Sequence, residues 1–102
     1  MIRAVISFQV KPGCEEAFEA AFNDAGMFTR PAQLDGFVSM ELMRSDDDPT
    51  GYLVVSNWKS HEVYKKWKSI SSREAPREAL VRLGETLIDP QPGKTYAIVP
   101  PQ

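Results

Sequence analysis

Cysteine and histidine are almost missing from this chain: Cys14 and His61 are the single representatives of each. One cysteine excludes an internal disulfide, and one cysteine with one histidine excludes the ligand spacings of a zinc site. Cys14 reads as a reduced thiol with a structural place. The 6 glycines stand singly, so no glycine-rich phosphate loop exists. No apolar run approaches the roughly 20 residues that cross a bilayer, and no membrane partner is expected. Neither sign of charge dominates, with 12 Lys and Arg against 14 Asp and Glu and a formal net charge of -2. A nucleic-acid footprint needs a basic face, so that class of partner is set aside. Met1 runs straight into a strand-like pattern, which reads as a chain without a signal peptide and a cytoplasmic location. Asp46, Asp47 and Asp48 look like a metal cluster. Adjacent acids before Pro49 lack the glycine-spaced order of a calcium loop, and they read as a solvated turn with no metal.

What is there is enough for one domain over residues 1–102 with a small core, for which self-association is a natural source of further burial. "IRAVISFQV" alternates: Ile2, Ala4, Ile6, Phe8 and Val10 share one face, and Arg3, Val5, Ser7 and Gln9 the other. Pro12-Gly13 breaks it. In "CEEAFEAAFNDAG", Ala17, Phe18, Ala21, Phe22 and Ala25 recur at helical spacing, with Glu15 and Glu16 suited to the first turn. Gly26 either ends this helix or lies within a longer one, and Pro31 sits in a loop or broken turn. "GFVSMELMR" and "YLVVSNWK" flank the polar "SDDDPTG", which reads as a hairpin; Val38, Met40 and Leu42 are expected on one side of it. Ser60 is a plausible N-cap for a helix with the apolar stripe Val63, Tyr64, Trp67 and Ile70. Ser71 and Glu74 have capping-box spacing for a second helical piece, in which Ala79, Leu80 and Leu83 continue and Gly84 closes. "DPQPG" reads as a rigid loop and "KTYAIV" as the last strand.

The order β-α-β-β-α-β predicts an α+β, ferredoxin-like fold, an antiparallel four-stranded sheet with helices on one face. The other sheet face carries Val5, Phe37, Met43, Leu53 and Val55 in this reading. Covering it with a second sheet predicts a homodimer.

The pieces "FQVKPGCEEAFEAAF", "LDGFVSMELMRSDDDP", "YLVVSNWKSHEVYKKWKS" and "YAIV" resemble, in order and spacing, the antibiotic biosynthesis monooxygenase (ABM) family. The resemblance covers nearly the whole chain. It implies a dimeric α+β barrel with a pocket between sheet and helices in each subunit. It also implies a small-molecule aromatic substrate and, in some members, oxygenation without metal or flavin. The reading is therefore a small cofactor-independent monooxygenase acting on a flat conjugated molecule. The alternatives are a non-catalytic dimeric domain that binds such a ligand, and a heme-degrading monooxygenase. The heme-degrading relatives use Asn on the first strand, Trp on the second helical region and His about ten residues later. Their Asn falls at Ile6, their Trp at Trp67 and their His at Pro76 or Arg77, so two of the three are absent and heme is not expected as a cofactor.

Six residues are candidates for the substrate pocket. Trp67 lies on its helix stripe as core or as a wall that stacks on a flat ligand. Tyr64 shares that stripe and brings a phenol. Ile6 and Phe8 are expected on the strand surface facing Trp67. Asn57 is a hydrogen-bonding candidate, with an interface or surface role as the other reading, and Arg77 faces an anionic substrate or water. No catalytic residue is singled out.

Overall fold

The structure is a computed structural model and describes residues 1–101. In chain order it has β1 (Ile2–Val10), α1 (Glu15–Asp24), a 3-10 turn (Pro31–Gln33), β2 (Phe37–Arg44), β3 (Gly51–Trp58), α2 (His61–Ser71), α3 (Arg77–Glu85), β4 (Leu87–Ile88) and β5 (Lys94–Ala97). All pairings are antiparallel, with β1 central between β3 on one edge and both β4 and β5 on the other. The ferredoxin-like arrangement is as expected, but the sheet has five strands rather than four. β4 pairs with Gln9 and Val10, and β5 with Ile2 to Val5, so the two share the place of one fourth strand. Residues 89–93 interrupt it. Pro90 and Pro92 cannot donate to a ladder, and Asp89 takes a positive φ of 45°.

Strand alternation builds two unlike faces. Tyr52, Val54, Ser56 and Trp58 of β3 point under the helices and are buried, while Leu53, Val55 and Asn57 point to the open face and are half-buried. On β2 the alternation slips. Phe37 pairs with Trp58 and Ser39 with Asn57, which leaves Val38 as a bulge residue. The bulge puts Val38 in solvent at 43% exposure and turns Phe37 inward, edge-on to Trp58 at 5.2 Å between ring centroids. Phe37 thus belongs to the core, not to the open face.

Under the helices the core forms two clusters. One gathers Val10, Phe18, Ala21, Phe22, Tyr52, Val54 and Leu83. The other gathers Ala4, Trp58, Tyr64 and Trp67. α1 supplies Phe18, Ala21 and Phe22 to the first and ends where Gly26 turns to φ +74°. α2 supplies Tyr64 and Trp67 to the second and starts at Ser60, whose side chain accepts from the Val63 N–H at 3.4 Å. The capping box at Ser71 does not form. Ser71 is still the last residue of α2, its hydroxyl donates back to the Lys68 carbonyl at 3.2 Å, and α3 begins after Pro76 instead.

Gly36 joins β2 to α2. It is buried at φ +101°, and a Cβ there would lie 2.7 Å from Cγ2 of Val63. Gly36→Ala combines left-handed strain with overpacking, so a loss of roughly 2–4 kcal/mol is expected in a denaturant titration. An unchanged midpoint would contradict this placement of the β2–α2 contact.

Candidate functional site

Between the two core clusters the side chains do not close. A cavity of about 260 Å³ remains, bounded by Ile6 and Phe8 of β1, Met40 of β2, Val54, Ser56 and Trp58 of β3, Phe22 of α1 and Leu80 and Leu83 of α3. Tyr64 and Trp67 of α2, with Met27 and Pro31, form the opposite wall. Ser71, Ser72, Gln91 and Gly93 also border it. Ser72 and Gln91 are exposed, so the cavity reaches solvent between the end of α2 and the 89–93 loop. The size approaches the lower end of small-molecule sites, and the lining is mostly apolar with a few polar groups, as such sites are.

Arg30 holds the α2 wall in place. Its guanidinium donates to the Ala25 carbonyl at 3.0 Å, to the Ser71 carbonyl at 3.0 Å and to the Ile70 carbonyl at 2.8 Å. These carbonyls lie at the ends of α1 and α2, where helix carbonyls lack intrahelical partners and a cation is favoured. The same guanidinium lies 5.1 Å from the centroid of the Trp67 ring, a cation–π contact. Trp67 is thereby fixed with one face against Arg30 and with its side chain on the cavity wall. Across the loop edge, Gly93 passes so close that a Cβ would lie 2.7 Å from Ile6 Cγ1 and 3.2 Å from the Tyr64 hydroxyl. The loop packs directly on the cavity wall because this position has no side chain.

The polar groups are few. Tyr64 is 4% exposed, and no hydrogen bond of its hydroxyl is found among the described residues; the oxygen itself is not sealed off, since no fully buried side-chain oxygen or nitrogen lacks a partner there. Burial raises its pKa above the ordinary 10.0, so the phenol stays protonated at neutral pH and can donate. Ser56 sits at the sheet surface, 8% exposed, and accepts from the Trp58 indole N–H at 2.8 Å. Among the described residues no charged side chain borders the cavity.

The six candidates separate cleanly in space. Ile6, Phe8, Tyr64 and Trp67 come together around the cavity. Asn57 does not. It lies on the open face, accepting from Arg3 Nε at 2.8 Å and donating to Ser39 Oγ at 3.0 Å. Its strand position, one residue from inward-facing Ser56 and Trp58, requires that. Arg77 begins α3 on the exposed side and does not border the cavity. Ser56 and Arg30 were not among the candidates. The spacing Ser56-x-Trp58 on a strand puts both residues on one face, a signal that was readable; nothing local marks Arg30.

The surroundings do not fit heme. His61 is exposed at the first position of α2, and Cys14 lies at the start of α1. Pro76 and Arg77, where the heme-degrading relatives place their His, offer no axial ligand. Among the described residues no histidine or cysteine borders the cavity; the heme-ligand types there are the Tyr64 phenol, which burial keeps protonated at neutral pH, and the thioethers of Met27 and Met40. Nor is there a cluster of three metal-ligating side chains among the described residues. The three aspartates form a closed turn instead. Ser45 Oγ accepts from the backbone N–H of Asp47 and Asp48, and the Asp48 carboxylate accepts from the Thr50 hydroxyl and N–H, which lower its pKa.

Comparison with known proteins agrees with this architecture. The pattern of the antibiotic biosynthesis monooxygenase family matches residues 1–79, so the chain belongs to that family. No curated protein matches it. A proposed antibiotic biosynthesis monooxygenase from Nitrosomonas europaea has a similar structure, with a TM-score of 0.75 at 17% identity over 97% of this chain and 99% of that one. SnoaB, a cofactor-independent oxygenase from Streptomyces nogalater, gives 0.72 at 20% identity over 98% and 94%. A third similar structure, from Bordetella bronchiseptica, gives 0.68 at 24% identity over 96% of each chain. At these identities the likeness establishes the fold.

The raised Tyr64 pKa has a consequence for stability. Its folded-state value lies above the unfolded value, so the neutral phenol's contribution is whole below about pH 10 and is lost as pH rises through the folded value. Tyr52 acts in the same direction, through desolvation and its hydrogen bond to the Glu19 carboxylate. Urea midpoints measured above pH 10 should therefore fall with pH. Tyr64→Phe should fall less steeply than the native chain, and equal slopes would show that the Tyr64 hydroxyl is solvated.

Proposed function

We propose that this protein is a small cofactor-independent monooxygenase acting on a flat, conjugated small molecule, and that it works as a cytoplasmic homodimer. The observation that carries the reading is the apolar cavity beside Trp67, with the protonated, unpartnered Tyr64 hydroxyl on its wall. Oxygenation without a cofactor needs a substrate electron-rich enough, once deprotonated, to pass an electron to dioxygen. An activated methylene can then take one oxygen atom as a carbonyl while the other leaves in water. The protein's part is to exclude solvent, hold the ring plane and stabilise the anion. Trp67, fixed by Arg30, offers a face for the ring. Tyr64 donates to the anionic oxygen. SnoaB, similar in structure, is described as cofactor-independent, which supports the same mode here.

Among the described residues no imidazole or carboxylate borders the cavity, which favours one alternative. Without a general base, the protein accelerates only substrates acidic enough to ionise readily, or it binds its ligand without turning it over. Oxygen uptake with anthrones, quinols and polyphenols separates the two. Uptake above the spontaneous rate supports the oxygenase; tight binding with no added uptake supports the binding domain. Trp67→Phe should weaken binding or turnover about tenfold while costing about 1–2 kcal/mol of stability. A large drop in melting temperature with unaltered ligand behaviour would assign Trp67 to packing alone.

The open sheet face supports the homodimer. Val5, Val55, Leu53 and Met43 form an apolar strip, with Val5 opposite Val55 and Met43 opposite Leu53. Light scattering at micromolar concentration should give twice the monomer mass. Val55→Asp should shift it toward monomer, because an unpaired charge in a dry interface is costly. A native chain that scatters as a monomer would rule out this assembly.

A further inference from the structure

Ser56 is a buried donor with nothing to donate to. Its oxygen accepts the Trp58 indole N–H at 2.8 Å, which occupies one lone pair and fixes the hydroxyl. Its oxygen is satisfied by Trp58, but no bond donated by the hydroxyl is found among the described residues, and the residue borders the cavity while only 8% exposed. Trp58 is itself wholly buried, wedged between Phe37 and Tyr64 at ring separations of 5.2 and 5.6 Å, so it cannot swing away. A buried donor left unpaired costs free energy that a bound acceptor recovers. Donors in a hydrogen-bonded chain also strengthen one another in a low-dielectric site.

We infer that Ser56, oriented by Trp58, anchors an acceptor oxygen of the ligand at the sheet surface of the cavity, and that the ligand enters as an uncharged molecule of about two fused rings. This rests on the reading of the cavity as a substrate site and adds its polarity and size. A permanent charge is disfavoured because no charged side chain among the described residues borders the cavity to offset desolvation; the anion needed for oxygenation forms on the bound substrate. Size follows from volume. A dry apolar cavity of about 150 Å³ accommodates benzene. The 260 Å³ here leaves room for a second fused ring. Gly93, packed on Ile6 and Tyr64, borders the cavity at its loop edge, and the volume leaves little room for a third ring.

Three compounds share one carbonyl in a γ-pyrone ring and differ in ring number: 4-pyranone, chromone and xanthone. Naphthalene matches chromone in ring number without the carbonyl. Quenching of tryptophan fluorescence reads binding of all four. Chromone should bind at least tenfold more tightly than the other three. Its carbonyl stretch in the infrared should move to lower frequency when bound. Ser56→Ala should weaken chromone about tenfold, leave naphthalene unchanged and restore the stretch, while Ser56→Thr keeps the shift. An unshifted stretch in the native protein overturns the role of Ser56, whether or not the alanine variant folds. Xanthone binding as tightly as chromone overturns the size limit. Failure of all four to bind overturns both this inference and the cavity as a ligand site. Chromone binding with no oxygen uptake on any oxidisable substrate would count only against the oxygenase reading.

Discussion

The guanidinium of Arg30 is the joint on which the cavity depends. One planar group collects a carbonyl from the end of α1 and two from the end of α2, and its face lies on Trp67. Lysine could not do this, because its ammonium lacks the planar fork that meets several acceptors at once while stacking on a ring. With the α2 terminus tied to α1, Trp67 is held beside Met27 and Pro31 and does not collapse onto Ile6 and Val54. The core then stays divided into its two clusters, and the space between them is the cavity.

The second cluster has its own internal logic. Trp58, the last residue of β3, is wholly buried and must satisfy one indole N–H, which it does with Ser56 two residues earlier on the same strand face. That choice sets the polarity of the cavity. A packed core needs no hydroxyl there beyond the one accepting from Trp58, yet Tyr64 adds a phenol without a protein partner. The groups that stabilise the fold and the groups that could hold a ligand are therefore the same few side chains, so stability and binding are coupled at this site.

Much of this architecture was readable along the chain. Strict alternation in "IRAVISFQV" and "YLVVSNW" assigns faces correctly, since a strand residue has only two directions to point. The stripe of Tyr64 and Trp67 predicts their burial together, and with Ile6 and Phe8 it locates four of the cavity residues. Where the reading fails, the cause lies away from the local pattern. The bulge at Val38 reverses Phe37 because pairing with β3, not the β2 sequence, decides register. β4 has two residues, too short for any periodicity to mark. Asn57 is polar and near both tryptophans in sequence, but alternation places it on the far face, as its interface or surface reading has it. Arg30 could not be found at all, because two of its three carbonyl partners lie 40 and 41 residues on, at the end of another helix.

The central claim is that open space, not packed side chain, separates Trp67 from the sheet. Xenon tests this directly, since it enters dry apolar cavities and scatters strongly. A crystal of the native protein under xenon pressure should show a bound atom among Ile6, Phe22, Met40, Trp67 and Leu83. A well-ordered structure with the Trp67 indole packed against Ile6 and Val54, and no xenon between α2 and the sheet, would contradict the account.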